Sequence, residues 1–317
     1  MDGILKKRIV VALGGNAILR SGQSGTVAEQ SRNIQETCKR LASMITRWYQ
    51  VVITHGNGPQ VGNILIQNEA AKHEVPAMPL DVCGAESQGL IGYMIQRSLG
   101  DELLRLGKRR TVTSLVTQVV VNENDEAFRH PTKPVGPFYD KEYAETQMRT
   151  KGQQWVEQRG KGWRRVVPSP DPKKIVEKGA ILNLIDSGIV VIACGGGGIP
   201  VVRTAGGRLD GVEAVIDKDL AAQCLAQDIG ADVLMILTDV ESVMIRFGQP
   251  DQCALGEVSV VEMMKYQEEG YFPEGSMGPK VEAASRFIRA GGEMAIITSL
   301  AWAHEGLKGK VGTRIVR

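Results

Sequence analysis

Three apolar, β-branched runs each end in a cluster of glycines, and this repeated junction restricts the chain more than any other feature. RIVVAL (8–13) stops at Gly14-Gly15-Asn16, VVIT (51–54) at His55-Gly56-Asn57-Gly58, and IVVIAC (189–194) at Gly195-Gly196-Gly197-Gly198. Short runs of this kind read as parallel strands buried on both faces. Glycine makes up 37 of 317 residues, about 12% against a usual ~7%, and the surplus sits at strand ends rather than in a periodic or linker-like pattern.

Helical signals fill the intervals. A stripe of Val27, Ile34, Cys38, Leu41, Ile45 and Trp48 follows a cap near Thr26. Pro59 stands where a first helical residue belongs, and Asp81 reads as the cap of a long helix to Leu106 that Gly107 stops. Residues 111–121 read as one strand. Residues 122–169 are charged, contain several prolines and hold no period, so they are expected to form an inserted subdomain or lid. Asp171-Pro172 reads as the cap and first residue of a helix through 175–187. Helices at 217–229 and 279–290, strands at 233–238 and 295–298, a Ser259/Glu262 capping box and an edge strand at 313–316 complete the alternation. Met263, Met264 and Phe287 read as core residues, and 155–165, with Arg159, Arg164 and Arg165, as a solvated face of the insert. The pattern is an α/β fold with a largely parallel sheet covered on both faces.

Composition excludes several classes. Lys plus Arg number 38 against 36 Asp plus Glu, a balance of +2 that gives no electrostatic case for a nucleic-acid or membrane partner. No apolar run approaches the ~18 residues of a membrane span. MDGILKKR (1–8) has no apolar stretch behind its charges and does not read as a signal peptide, so a cytoplasmic location is expected. The five cysteines form no C-x-x-C and fit a reducing compartment, while the four histidines lack metal-ligand spacing. The Walker motif, the protein-kinase signatures and G-x-G-x-x-G are all missing.

In open α/β sheets ligands gather beyond the carboxyl ends of the strands. There, glycine amides and helix N-termini favour anions, and Asn16 and Asn57 add amide donors. Each cluster alone is also explained as a tight turn; three together point to a phosphate or carboxylate site. Lys218-Asp219 and Lys280 stand at helix starts, where an ammonium can act as a point charge on phosphate and a carboxylate can hold two of them. Lys133, between Pro131 and Pro134, reads equally as a site cation or a surface charge. His55 is either a donor beside its glycine loop or a satisfied structural histidine.

The ordered strings VALGGNA (11–17), HGNGPQVGN (55–63), PTKPVGP (131–137), KGWRRVVPSP (161–170), CGGGGIPVV (194–202), GVEAVIDKD (211–219), ILTDV (236–240) and GSMGPK (275–280) resemble the carbamate kinases of the amino-acid-kinase superfamily. The resemblance spans nearly the whole chain. It implies a three-layer α/β/α open sheet with an inserted lid at 122–169, an acceptor half over 1–212 and a nucleotide half over 213–317. It also implies a homodimer and the reversible reaction of ATP with carbamate to give ADP and carbamoyl phosphate. The catabolic direction, ATP from carbamoyl phosphate, as in arginine metabolism, comes with it. Carried over residue by residue, Gly14, Gly15 and Asn16 would hold the transferring phosphoryl group, and Gly56 and Asn57 would face carbamate. Gly195 and Gly196 join the phosphate-binding set. Lys218 and Lys280 would neutralise phosphate oxygens, Asp219 would organise them, and Thr238, Asp239 and Met277 would line the nucleotide pocket. Mg²⁺ is expected on the nucleotide phosphates, with no side-chain metal site. Related kinases carry K-x-G-G in the first strand; here Ala12 takes that lysine's place, and Lys133 is inferred to supply the missing cation from the lid. Alternatives are a kinase of the same fold with another carboxylate or nucleotide acceptor, a non-catalytic metabolite sensor and, more weakly, a dehydrogenase.

Overall fold

In the computed structural model, which describes residues 7–45, 49–273 and 275–317, strand alternation sorts the core into two layers. Within Lys7–Leu13, Val10 and Ala12 face one way and Ile9, Val11 and Leu13 the other. The neighbouring strands Tyr49–His55, Val233–Thr238 and Met294–Ser299 divide in the same manner. One face is covered by the helices Lys178–Asp186, Lys218–Asp228 and Gly278–Arg289, the other by Val27–Met44 and Leu80–Arg105. A sheet apolar on both faces has to be covered on both, and the three-layer α/β/α sandwich follows.

The main sheet has eight strands, ordered Glu257–Ser259, Thr313–Val316, Met294–Ser299, Val233–Thr238, Lys7–Leu13, Tyr49–His55, Val190–Ile192 and Val112–Ser114. Every pairing is parallel except that between Met294–Ser299 and Thr313–Val316. Thr313–Val316 is therefore an inner strand, and Glu257–Ser259 is the edge. The expected cap at Thr26 forms a full capping box with Glu29, and so does Ser259 with Glu262. Trp48 lies outside the described residues, as do the first six of the chain.

Three further expectations are corrected. Residues 111–121 are two strands, Val112–Ser114 in the main sheet and Gln118–Val121 in a second, four-stranded sheet with Leu209–Gly211, Ile199–Arg203 and Pro172–Ile175. Pro172–Ile175 is thus a strand, and the helix after it runs only over Lys178–Asp186; the Asp171 carboxylate holds Arg286 and Lys173 instead of capping. Asp81 lies within the first turn of its helix, whose cap position is Pro79.

Inside 122–169, Lys133–Tyr139, Gly162–Val167 and Gln154–Gln158 form a three-stranded antiparallel sheet with the helix Lys141–Lys151 against it. Trp155 is buried edge-on to Tyr139 and Tyr143, which stack with centroids 4.3 Å apart. The segment 155–165 is otherwise solvated as expected, with Val156, Glu157, Arg159, Gly160 and Lys161 exposed, while Arg164 donates to Gly136 O and Arg165 pairs with Glu213. Lys133–Tyr139 packs against the helix Gly58–Ala71, which places the insert over the strand-end glycines of 55–58.

Met263 and Phe287 are fully buried and Met264 is half-buried. Phe287 sits under the sheet in the larger cluster at 1% exposure. Phe287→Ala is expected to lower the unfolding free energy by about 3–5 kcal/mol, measured by chemical denaturation; a loss under 1 kcal/mol would refute that packing.

Candidate active site

The strand Lys7–Leu13 hands the chain to Gly14, whose N–H donates to Leu237 O at 2.9 Å, and then to a single 3-10 turn, Gly15–Ala17. The neighbouring strand ends at His55, and Gly56 N donates to Leu13 O at 3.2 Å. A methyl group on Gly56 would touch the Lys218 side chain at 3.4 Å and Gly15 Cα at 3.8 Å. Gly15, Gly56 and Lys218 therefore converge beyond the carboxyl end of the sheet, where open α/β folds bind ligands.

Lys218 opens the helix Lys218–Asp228, capped by Asp217, whose Oδ1 accepts from the N–H groups of Asp219 and Leu220 at 2.9 and 3.4 Å. Asp219 lies in that first turn with a side chain only 3% exposed, so it needs cationic partners to remain charged. It has two: Lys218 Nζ donates to Oδ1 at 2.6 Å, and Lys280 Nζ lies 3.4 Å from Oδ2. Lys280, on the helix Gly278–Arg289, also donates to Ser276 O at 2.9 Å. One carboxylate thus gathers two ammonium groups from segments about sixty residues apart.

A cavity of about 210 Å³ opens beside them, lined by Gly14, Gly15, Asn16, Lys218, Asp239 and Lys280 among others. Asn16 Nδ2 donates to Asp239 Oδ2 at 3.3 Å, and Thr238 Oγ1 to Oδ1 at 2.8 Å. An adjoining cavity of about 290 Å³ shares Thr238, Asp239 and Lys280 and continues over Met277, Met244, Phe247, Tyr271 and Phe272. A cationic, glycine-lined end runs into an apolar, aromatic end. The aromatic residues carry no motif in the sequence: Tyr271-Phe272 stands just before GSMGPK with no period, and only folding brings Phe247 to it.

Gly195 and Gly196 border neither cavity. Side chains added there would collide with the His55 ring and the Asn57 amide, and Gly196 has φ +67°. This loop is a close-packing junction that fixes Asn57, whose Nδ2 donates to Ser87 Oγ at 2.7 Å. Ala12 is fully buried in the core. Lys133 also stands apart from the two cavities and pairs with Asp217 Oδ2 at 2.9 Å.

Titration follows burial. Burial pushes the Cys38 and Cys224 thiols up to about 12 and Cys83 to about 11, and raises Cys194 well above the ordinary thiol value, leaving these four un-nucleophilic at neutral pH. Asp217 is held below the ordinary carboxylate range: burial opposes ionisation, but the Lys133 and Lys218 ammonium groups outweigh it.

An open, mainly parallel sheet with cations and glycine amides gathered beyond its strand ends is the architecture of an anion-binding α/β protein. The model of the amino acid kinase family matches residues 7–299. A carbamate kinase of Thermococcus kodakarensis is 54% identical over 314 residues, covering 98% of this chain and 99% of its own. One from Pyrococcus furiosus is 53% identical with the same coverage. A solved carbamate kinase from Giardia lamblia, bound to AMP-PNP, superimposes with a TM-score of 0.94 at 45% identity over 98% of both chains. The chain belongs to the amino acid kinase family, among its carbamate kinases.

His55 is fully buried, with Nδ1 2.9 Å from Gly56 O; since a carbonyl only accepts, Nδ1 carries the proton. Burial outweighs this bond and pushes the imidazole pKa from 6.5 down to about 4. Between those values the unfolded chain binds a proton that the folded chain refuses, so stability falls as pH drops from 6.5 to about 4, by up to about 3 kcal/mol from this group. His55→Gln is expected to flatten the pH dependence of the unfolding free energy across that window; curves parallel to wild type would rule out a buried neutral imidazole.

Proposed function

We propose that the protein is a carbamate kinase that transfers a phosphoryl group reversibly between ATP and carbamate, working in catabolism toward ATP. The observation that carries this reading is the pair Lys218 and Lys280 on the buried Asp219, beside the glycine-lined cavity. In the ATP-forming direction a terminal oxygen of ADP attacks the phosphorus of carbamoyl phosphate. The new P–O bond forms as the bond to the carboxyl oxygen breaks, and its electron pair leaves with carbamate. Nucleophile and leaving group are both stable anions, so no general base is needed. The work is positioning and charge neutralisation.

In this assignment the Gly14 and Gly15 amides and Asn16 hold the migrating phosphoryl group, and Lys218 and Lys280 neutralise its oxygens. Gly56 and Asn57 face carbamate, with Gly195 and Gly196 fixing Asn57 from behind. Thr238, Asp239 and Met277 line the nucleotide pocket, whose aromatic end suits a base. The halves 1–212 and 213–317 then serve acceptor and nucleotide, and 122–169 closes over the acceptor as a lid. AMP-PNP, an ATP analogue, on the Giardia lamblia relative supports the nucleotide assignment.

Mg²⁺ fits this site. Among the described residues no three His, Cys, Asp or Glu side chains form a metal cluster, and Mg²⁺ on phosphates needs only one or two carboxylates. Asp239, facing the smaller cavity with no ion pair among the described residues, would hold it and be the carboxylate left over by the lysine pairs. Bound there, the ion would add charge neutralisation to the phosphate oxygens.

The homodimer is part of the same proposal. On Leu80–Arg105 the residues Val82, Leu90, Tyr93 and Leu104 fall on one arc of the helix and are exposed, Tyr93 at 58% and Leu104 at 71%. This is the face a second copy would bury. A cytoplasmic location belongs to the same proposal; no helix among the described residues is long and apolar enough to cross a membrane.

The purified protein is expected to form ATP from carbamoyl phosphate and MgADP, and Lys218→Ala or Lys280→Ala to cut kcat by at least ~10²-fold. Absence of ATP formation overturns the function, and near-wild-type rates in both variants overturn the lysine assignment. Tyr93→Glu is expected to convert a dimer to a monomer in sedimentation velocity; an unchanged species would place the interface elsewhere.

A further inference from the structure

Asp217 joins two parts of the protein that the sequence keeps 84 positions apart. Its Oδ1 accepts the N–H groups of Asp219 and Leu220 and so closes the N-terminus of the helix that starts with Lys218. Its Oδ2 accepts from Lys133 Nζ, on the first strand of the insert, at 2.9 Å. The Asp217 side chain is 16% exposed and that of Lys133 37%, so the pair is partly shielded and its geometry is specified from both sides. The Lys133 backbone is fixed independently, since Lys133 and Pro134 pair with Val167 and Val166 and Lys133 lies between Pro131 and Pro134. A free surface lysine would have no such anchorage.

We propose that Asp217 is a positioning residue for phosphoryl transfer, acting through Lys133: its carboxylate docks the insert onto the start of the helix bearing Lys218 and Asp219. This rests on the carbamate kinase reading for the reaction, not for the link itself. One carboxylate with both oxygens engaged ties the insert's placement to the direction of Lys218. An insert that swings away withdraws an ammonium from Asp217 and leaves a shielded carboxylate with only two helix N–H groups and the more distant Lys218 charge, so the open arrangement is disfavoured. The lid cation is thus oriented by a protein anion before any phosphate arrives. Its role is to register the insert, and through Asp217 the lysine pair, against the cavity.

The two functions of Asp217 are separable, because asparagine caps a helix about as well as aspartate but carries no charge. Asp217→Asn is therefore expected to keep the helix and unfold within ~2 °C of wild type, while kcat for ATP formation from carbamoyl phosphate and MgADP drops about 10- to 100-fold, the scale of a small misplacement of reacting groups. KM for ADP should change less than ~3-fold. Lys133→Met, in the insert, should give a similar loss. The double variant should lose no more than the worse single, since both remove one link. Wild-type kcat in Asp217→Asn, or losses that multiply in the double variant, overturn the proposal. Hydrogen exchange of the amides of 133–139 supplies a readout independent of turnover. Both single variants should exchange faster there, and unchanged protection overturns the link. If the wild-type protein makes no ATP, the kinase reading fails and the exchange measurement still decides whether Asp217 docks the insert.

Discussion

One buried carboxylate holding two ammonium groups is the interaction on which the candidate site depends. Asp219 is almost wholly removed from water and would be costly to leave ionised without Lys218 and Lys280. At an effective dielectric near 20 each contact is worth on the order of 4 kcal/mol before desolvation. The start of its helix adds a favourable dipole. The cluster keeps one net positive charge when both lysines are engaged. Two ammonium groups without Asp219 would repel each other and turn outward. With it they are fixed in advance at the edge of a cavity, which spares the reaction the reorganisation of charge that water would require.

The glycine loop after Val190–Ile192 serves the site in a different way. Its backbone passes so close to His55 and Asn57 that no side chain fits, and Cys194 enters it at φ +53°, a conformation costly for a residue with a Cβ. The same packing that excludes water from the His55 ring keeps it neutral, and the same approach holds the Asn57 amide against Ser87. The rigidity of the His55–Asn57 side of the candidate site thus comes from close contact, while that of the lysine side comes from charge.

Much of the fold was legible because its signals are local. Thr26 with Glu29 and Ser259 with Glu262 announce helix starts within four residues, and the alternation in 8–13 and 233–238 fixes buried strands. Residues 111–121 misled because Leu115, Val116 and Thr117 extend an apolar pattern across the point where the chain leaves one sheet for another. Asp171-Pro172 has the chemistry of a cap, but the carboxylate has stronger partners in Arg286 and Lys173, and the segment is claimed by Gln118–Val121. Trp155 looked solvated beside its arginines because its ring partners, Tyr139 and Tyr143, lie on other elements. The glycine, lysine and Asp219 positions could be singled out by spacing; the meeting of Phe247 with Tyr271-Phe272 and the pairing of Lys133 with Asp217 could not, since only tertiary structure brings those segments together.

The residue inventory is also consistent with a reaction that needs no proton taken from its nucleophile. Four of the five thiols are buried and raised, and the one histidine at the strand ends is held neutral with a proton committed to Gly56 O. What remains beside the cavity are ammonium groups, amides and one carboxylate, Asp239, free of an ion pair among the described residues. Such a set can bind, align and neutralise oxyanions, and an acceptor that is already an anion needs no base. A kinase acting on an alcohol would need one near its acceptor; a kinase whose acceptor is already an anion does not. The cations and amides that do line the cleft suit an anionic acceptor as well as they suit phosphate.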